Sequence, residues 1–422
     1  MSAMGPAGAT RAGVEGALDW RRSIHHALLA ALVFGLAFSI SVSQITLGVL
    51  AVWVLLVWWA GRGVALRLPL LGPVAAFAAC SVVAALASAR PGESLAACKG
   101  LLDLAALFVI ATALPDAATA RRFATWLILA LAGAAVAGIA QVAACPGPEA
   151  VAHGTTLMEN FLRKCTRARG FYSIYMTLAG ILALALTATL PRLVRLGGEA
   201  WWLGPAWLVS GAGLALTYVR GAWLGFVAGA LAALAGLGRR GVVAAAVLVL
   251  LAAALLMALP GVSARVRTIG NAADDTTRDR LAMLQAGRRL VLEHPLTGIG
   301  PGQVKRVYPS VAPPEALRHS TSHLHNTPLQ ITVERGVLGL VTWLWIFVAC
   351  LVRSLAVLRR LPAAAAGDRA LVLGSLAAVV TFLVGGLFEY NFGDTEVLLV
   401  ALAFMALPFA LDPGAVPAAS GA

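Results

Sequence analysis

Apolar runs long enough to cross a bilayer follow one another along almost the whole chain, and one polar interval, 261–327, breaks the series. A membrane-spanning helix needs roughly 20 such residues, and the runs do not alternate polar and apolar positions as a transmembrane β-barrel requires. We read twelve spans: 26–43, 45–60, 69–88, 97–114, 123–143, 171–190, 201–218, 221–237, 242–259, 328–352, 369–388 and 395–411. The pattern predicts an all-α polytopic membrane protein with a helical segment outside the bilayer. Residues 1–259 form an N-terminal bundle of nine spans, 260–327 an outer segment, and 328–422 three further spans and a tail.

Composition agrees. The chain is 60% apolar and 12% charged, whereas an ordinary soluble domain carries about 25% charged residues. The net charge of +13 does not indicate nucleic acid, because the charges lie in short clusters between spans rather than on one soluble face. Those clusters orient the chain. With Arg21 and Arg22 inside, the alternate loops hold Arg62 and Arg67, Arg121 and Arg122, Arg192 and Arg195, Arg239 and Arg240, then Arg353, Arg359 and Arg360. The excess of positive charge marks the cytoplasmic side and places both termini there. Residues 1–24 carry no apolar core of a signal peptide, so none is expected to be cleaved.

Two outer segments are basic despite this rule. Residues 144–170 carry Arg163, Lys164, Arg167 and Arg169; residues 260–327 carry Arg265, Arg267, Arg278, Arg280, Arg288, Arg289, Lys305, Arg306 and Arg318. Long loops are partly exempt from the charge rule, but an anionic partner is the simplest cause of the excess. Cys145 and Cys165 flank the first of these segments, where an oxidising compartment would permit a disulfide that spacing alone does not fix.

Residues 276–294 read as an amphipathic helix capped by Asp274 or Asp275 and stopped by Pro295. Leu281, Leu284, Val291 and Leu292 form one stripe, with Arg288 in its middle. That stripe is the face expected to be buried, so Arg288 needs an anion, because an unpaired buried guanidinium is costly; this is the strongest physical reason to single it out. Arg278, Gln285, Arg289 and Glu293 share another face.

The cluster His319-Ser-Thr-Ser-His323-Leu-His325-Asn326 stands just before a span. An imidazole there can take a proton from a hydroxyl near neutral pH. The plain alternative is a polar helix entrance capped by Asn326 or Thr327. Three histidines also suggest zinc, but no thiolate lies near and Glu315 is the only local carboxylate, so no metal is expected. Arg220 interrupts an apolar stretch at the same membrane boundary; its plain alternative is a snorkelling side chain. The turn Gly298-Ile-Gly300-Pro-Gly302 could offer N–H groups to a phosphate, though a turn leaving the helix is the simpler reading. Asp274-Asp275 reads as a helix cap rather than a metal pair. Glu389, Asp394 and Glu396 mark the last outer turn, where they could orient an arginine or contact a sugar.

Several of these blocks, in this order, resemble the O-antigen ligase and polymerase family: Arg220-Gly-Ala-Trp223-Leu-Gly; Arg288; His294-Pro-Leu-Thr-Gly-Ile-Gly300-Pro-Gly; His323-Leu-His325-Asn326-Thr-Pro-Leu-Gln330; and Glu334-Arg-Gly336-Val-Leu-Gly339. Gly386-Leu-Phe-Glu389-Tyr-Asn391-Phe-Gly-Asp394 resembles its last outer turn, and the likeness covers about 205–396. The resemblance implies a GT-C-like inner-membrane glycosyltransferase of about twelve spans with its active site on the periplasmic face. It implies an undecaprenyl-diphosphate-linked O-antigen donor, a lipid A–core acceptor within membrane lipid, and no cofactor, metal or nucleotide. By position, Arg220, Arg288 and His325 are the expected catalytic residues. Arg265, His323, Arg169, Arg280, Arg289 and Asn326 are the expected substrate contacts. Related activities remain open at this point: an O-antigen polymerase, a protein O-oligosaccharyltransferase, or, from a different class, a lipid-linked glycan transporter.

Overall fold

The computed structural model describes residues 7–61, 65–146, 156–162, 165–196, 201–268, 271 and 274–413. The expected basic residues Arg62, Arg163 and Lys164, and the tail beyond 413, lie outside them. The described residues are helical, with no strand among them. In order they are α1 (Ala7–Phe38), α2 (Ile40–Trp59), α3 (Leu71–Leu86), α4 (Pro91–Ala97), a 3-10 turn (Cys98–Leu104), α5 (Ala105–Ala113), α6 (Ala117–Ala143), α7 (Leu157–Leu162), α8 (Tyr175–Leu196), α9 (Leu203–Leu216), α10 (Arg220–Ala235) and α11 (Arg239–Ala258). Then come α12 (Pro260–Arg267), α13 (Asp275–Glu293), α14 (Val304–Val311), α15 (Thr327–Arg360), α16 (Ala366–Gly385), a 3-10 turn (Asn391–Gly393) and α17 (Thr395–Ala410).

Each apolar run of the sequence contains a helix. Among the described residues six candidate spans have the length and apolarity to cross a membrane: Ile40–Trp59, Pro91–Ala113, Ala117–Ala143, Tyr175–Arg195, Thr327–Arg360 and Ala366–Gly385. Leu71–Leu86, Leu203–Leu216, Arg220–Ala235 and Thr395–Ala410 are shorter apolar helices. The protein is a multi-pass helical membrane protein.

Its centre is α17, buried at every position from Val397 to Ala410. Around it, α8 and α16 pack through small residues, as membrane helices do when burial of apolar area offers little drive. Gly221, Gly225 and Gly229 form a stripe of α10 at four-residue spacing. A Cβ on Gly225 would stand 2.9 Å from Thr381 O, so only glycine allows α10 this close to α16. The stripe fixes Arg220, the first residue of α10, over the loop that leaves α16 and carries Glu389.

The segment between α11 and α15 has its own small core, with Met283, Ala286 and Leu290 of α13 packed with Ile299, Val304, Tyr308, Leu324 and Val333. It is fastened to α15 at a kink. Gly336 has φ 67°, and a Cβ there would collide with Leu296 O. That break exposes backbone groups of α15, which pair with the Gly-rich turn: Ile299 N–H donates to Val333 O at 2.9 Å, and Gly300 N–H to Glu334 O at 3.0 Å. Gly302 N–H donates to Glu334 Oε1 at 3.0 Å. The glycine turn therefore spends these N–H groups within the protein, which favours the turn reading over phosphate binding. The Glu334 carboxylate also accepts from Gln330 and from Arg335, whose Nε donates to Ser81 Oγ on α3.

Candidate active site

The entrance of α15 is built to hold a histidine against a carboxylate. Asn326 caps the helix by accepting the Leu329 N–H at 2.9 Å, as the sequence allowed, and its amide donates to Leu387 O. Thr327 donates to Glu389 O through its hydroxyl and to Gly386 O through its backbone. These bonds pin the start of α15 to the 386–390 loop. His325, one residue before the cap, adopts φ 48°, a left-handed conformation in which a non-glycine residue is uncommon and which clusters at functional sites. Its Nδ1 lies 2.6 Å from Glu389 Oε1.

Burial alone would raise the Glu389 carboxyl, but the hydrogen bond and charge of His325, with the charges of His323 and Arg280, hold it below the ordinary carboxylate range. An ionised carboxylate only accepts, so Nδ1 of His325 donates in this bond and Nε2 is the ring nitrogen left for another partner. His323 stacks edge-on to His325 with ring centroids 4.2 Å apart, and its Nδ1 lies 3.9 Å from the same carboxylate. Burial, then the charges of His325 and Arg280, push its pKa down to about 4 despite the opposing Glu389 charge, so it is neutral at pH 7.

Beside this pair lies a cavity of about 280 Å³ whose charged lining is His325, Arg167, Arg220, Arg265, Arg280 and Arg318, with Asp275 and with Asp279, which pairs with Arg318 at 3.3 Å. Arg220 donates to Asp274 Oδ2 at 2.7 Å, and Arg265 lies 3.6 Å from the other oxygen of the same carboxylate. Arg220 also reaches Thr268 O and its hydroxyl. Arg167 stacks over the Tyr175 ring at 4.5 Å. Burial and the like charges of Arg220 and Arg167 lower the Arg265 pKa, and its buried Nε has no hydrogen-bond partner. Arg220 and Arg265 thus share the Asp274 carboxylate, and Arg167 stands within electrostatic reach of Arg265, an arrangement that favours an anion. Tyr218, another non-glycine residue at positive φ (56°), lines the same cavity.

Arg280 joins the two halves, its guanidinium 3.6 Å from Glu389 Oε2. Burial lowers its pKa, with Glu389 acting in the opposite sense. His323, His325 and Glu389 bring three possible ligand atoms within 4.8 Å of one another. A divalent ion on Glu389 would face the Arg280 guanidinium, so the positive charge at this carboxylate is already supplied by the chain.

The structure brings Arg220, Arg265, Arg280, His323 and His325 together, with Asn326 as the cap beside them. It separates three others. Arg288 is on the exposed face of α13, and so are Leu281, Leu284 and Leu292, at 45%, 49% and 70% exposure. The inner face is Asp279, Ala282, Met283, Ala286, Gly287 and Leu290, so the expected burial of Arg288 is overturned: Gly287 fits against Leu329 of α15 and turns the leucine stripe outward. Arg289 pairs along the helix with Glu293 at 2.8 Å, exposed to 63%. Arg169 holds its own loop, donating to Tyr172 O and Phe161 O.

The sequence reading missed Arg167, Asp274 as an ion-pair partner, and the pairing of Glu389 with His325. Asp274 was read as the cap of α13, and it does accept the Thr277 N–H. The sequence singles out Glu389 on the last outer turn as a group that could orient an arginine, and Arg280 does stand 3.6 Å from it; its pairing with His325 had no signal beyond a polar residue in a loop between two spans. Cys145 and Cys165 form the disulfide that the sequence left open.

Residues 205–344, the stretch holding Arg220, Arg265, Arg280 and His325, match the family model described as O-antigen ligase. Glu389 lies beyond the matched residues. No curated protein matches the chain.

Proposed function

We infer, from the O-antigen ligase domain and the cavity it contributes to, that the protein is a GT-C-like, inverting, metal-independent glycosyltransferase. It transfers O-antigen glycan from undecaprenyl diphosphate to lipid A–core oligosaccharide in the inner membrane. The observation that carries this is the placement of a carboxylate-oriented imidazole, His325 on Glu389, beside crowded guanidiniums in one cavity.

The chemistry follows from those groups. As the glycosyl C1–O bond breaks, negative charge builds on the departing diphosphate. Arg220, Arg265 and Arg167 stabilise that charge in place, and pre-oriented donors gain most when charge develops away from bulk water. Nε2 of His325 takes the proton of the acceptor hydroxyl as that oxygen attacks C1 from the opposite side. Glu389 holds the Nδ1–H tautomer and stabilises the imidazolium that forms, the general logic of an oriented base. Arg280 ties Glu389 to the diphosphate side. A single displacement inverts the anomeric centre, and a diphosphate leaves without a strong general acid.

We assign the 260–327 segment as the catalytic segment between the 1–259 bundle and the 328–422 helices. A twelve-crossing topology with both termini cytoplasmic makes α1, α11 and the shorter apolar helices complete the six long spans. The periplasmic side for the cavity is supported by the Cys145–Cys165 disulfide, two residues from Arg167, because disulfides persist in oxidising compartments.

Reconstitution of the purified protein with lipid-linked O-antigen tests the reading. Transfer that requires added lipid A–core, proceeds in EDTA and inverts the linkage is expected. Elongation of the donor glycan with no core present would assign the polymerase activity instead.

A further inference from the structure

A second charged pocket lies at the other end of the same helices. A groove of about 790 Å³ runs between α8, α9 and α11, with an apolar wall that includes Leu193, Trp207, Leu208, Val247 and Leu251. Arg239 and Arg240, at the start of α11, stand on its rim. Arg195, at the end of α8, approaches Gly236 O at 3.5 Å and lies within electrostatic reach of Arg240. Its buried Nε has no hydrogen-bond partner. Among the described residues none of Arg195, Arg239 and Arg240 forms an ion pair with a carboxylate.

This pocket is separate from the transfer site. Tyr175, at the start of α8, lines the arginine cavity around His325, while the groove touches α8 at Leu190, Leu193 and Val194. A rise of about 1.5 Å per residue puts the two roughly 25 Å apart along the helix, in opposite leaflets. Guanidiniums at the mouth of an apolar slot suit a ligand with an anionic head and a hydrocarbon tail. Basic pockets between membrane helices bind anionic lipid headgroups in this way.

We propose that the groove between α8, α9 and α11 holds an anionic phospholipid, its phosphate on Arg195, Arg239 and Arg240 and an acyl chain along Trp207, Val247 and Leu251. The occupant fills the space left where α11 stands away from α8 and ties the two helices in the leaflet opposite the transfer site. The assignment does not depend on the reaction proposed above.

Native mass spectrometry of the full-length protein in mild detergent tests it, with phosphatidylglycerol, phosphatidylethanolamine and undecaprenyl phosphate added in turn after delipidation. Phosphatidylglycerol is expected to be retained at least fivefold over phosphatidylethanolamine. The double substitution Arg239→Gln, Arg240→Gln removes the head contacts; Val247→Trp fills the slot and leaves the arginines in place. Each is expected to reduce retained phosphatidylglycerol at least fivefold. Equal retention of phosphatidylglycerol in either folded variant, equal retention of the zwitterionic lipid, or loss of undecaprenyl phosphate in place of phosphatidylglycerol in the groove variants would overturn the proposal.

Discussion

Glu389 accepts a hydrogen bond from His325 at 2.6 Å across 64 residues of sequence, joining the loop after α16 to the entrance of α15. The carboxylate fixes which imidazole nitrogen carries the proton, and so which one is free to act. Glu389→Gln keeps the size of the side chain and removes that control. We expect kcat for glycan transfer to fall about 10²–10⁴-fold, the usual worth of a positioned base, with the donor KM little changed. His325→Ala should lose as much, and the double variant no more than either single one, because the two act as a unit. Additive losses in a reconstituted transfer assay would separate Glu389 from the proton transfer.

Arg280 and Arg288 lie eight residues apart on α13 but on different faces. Arg280 reaches the cavity and Glu389; Arg288 is exposed beside Leu284 and Leu292. Arg280→Ala is expected to lower kcat about 10²–10³-fold, as loss of one fixed charge-stabilising donor does. Arg288→Ala, a surface change, should alter transfer by about twofold or less. A larger loss at Arg288 than at Arg280, measured on folded proteins of equal melting midpoint, would return the role to Arg288.

Arg288 also shows what the sequence conveyed and what it did not. The helix itself was legible: Asp274 caps it, Pro295 follows it, and its apolar stripe has helical spacing. The direction of the stripe was not. In water an apolar stripe faces the core, but a helix next to a bilayer can leave leucines outside, and small residues such as Ala282, Ala286 and Gly287 mark the packed face instead. The apolar runs gave the spanning helices for the same reason that they hid this one: hydropathy reports the surroundings, not the partner. Arg220 and His325 were legible because a charge or imidazole at a membrane boundary is unusual. Glu389 carried the same signal, but its pairing is a long-range contact with no periodicity. Arg169 looked equivalent to Arg167 by position; only folding commits it to the carbonyls of Phe161 and Tyr172.

His323 gives a pH signature distinct from that of Glu389. Its pKa is about 4 in the folded protein against 6.5 ordinarily. The unfolded chain therefore binds more protons between those values, and stability rises with pH through that window. The contribution is complete above pH 6.5 and is lost as the pH falls toward 4. Glu389, also held below its ordinary range, adds stability that is lost only at lower pH, below about 4.5. Melting midpoints of the wild-type protein should decline between pH 6.5 and 4, and His323→Gln should flatten that decline. An unchanged slope in the variant would show that His323 is not buried as a neutral ring.

Asp274 has two jobs that substitution can separate. It caps α13 through the Thr277 N–H, and it neutralises Arg220 and Arg265 while the cavity holds no anion. The hydrogen bond and charge of Arg220 outweigh the upward push of burial on its own pKa, so it is ionised at neutral pH. The diphosphate of the proposed donor would have to compete with this carboxylate. Asparagine caps a helix as well as aspartate does, so Asp274→Asn leaves α13 in place and frees the cations. We expect the donor KM to fall roughly fivefold, about 1 kcal/mol for a partly buried charge pair, with kcat changed less. Asp274→Ala removes the cap as well and should lower the melting midpoint, consistent with about 1 kcal/mol of lost stability. Steady-state kinetics with varied lipid-linked donor decide the matter: a higher donor KM in Asp274→Asn would mean that the carboxylate positions Arg220 for the diphosphate instead of competing with it.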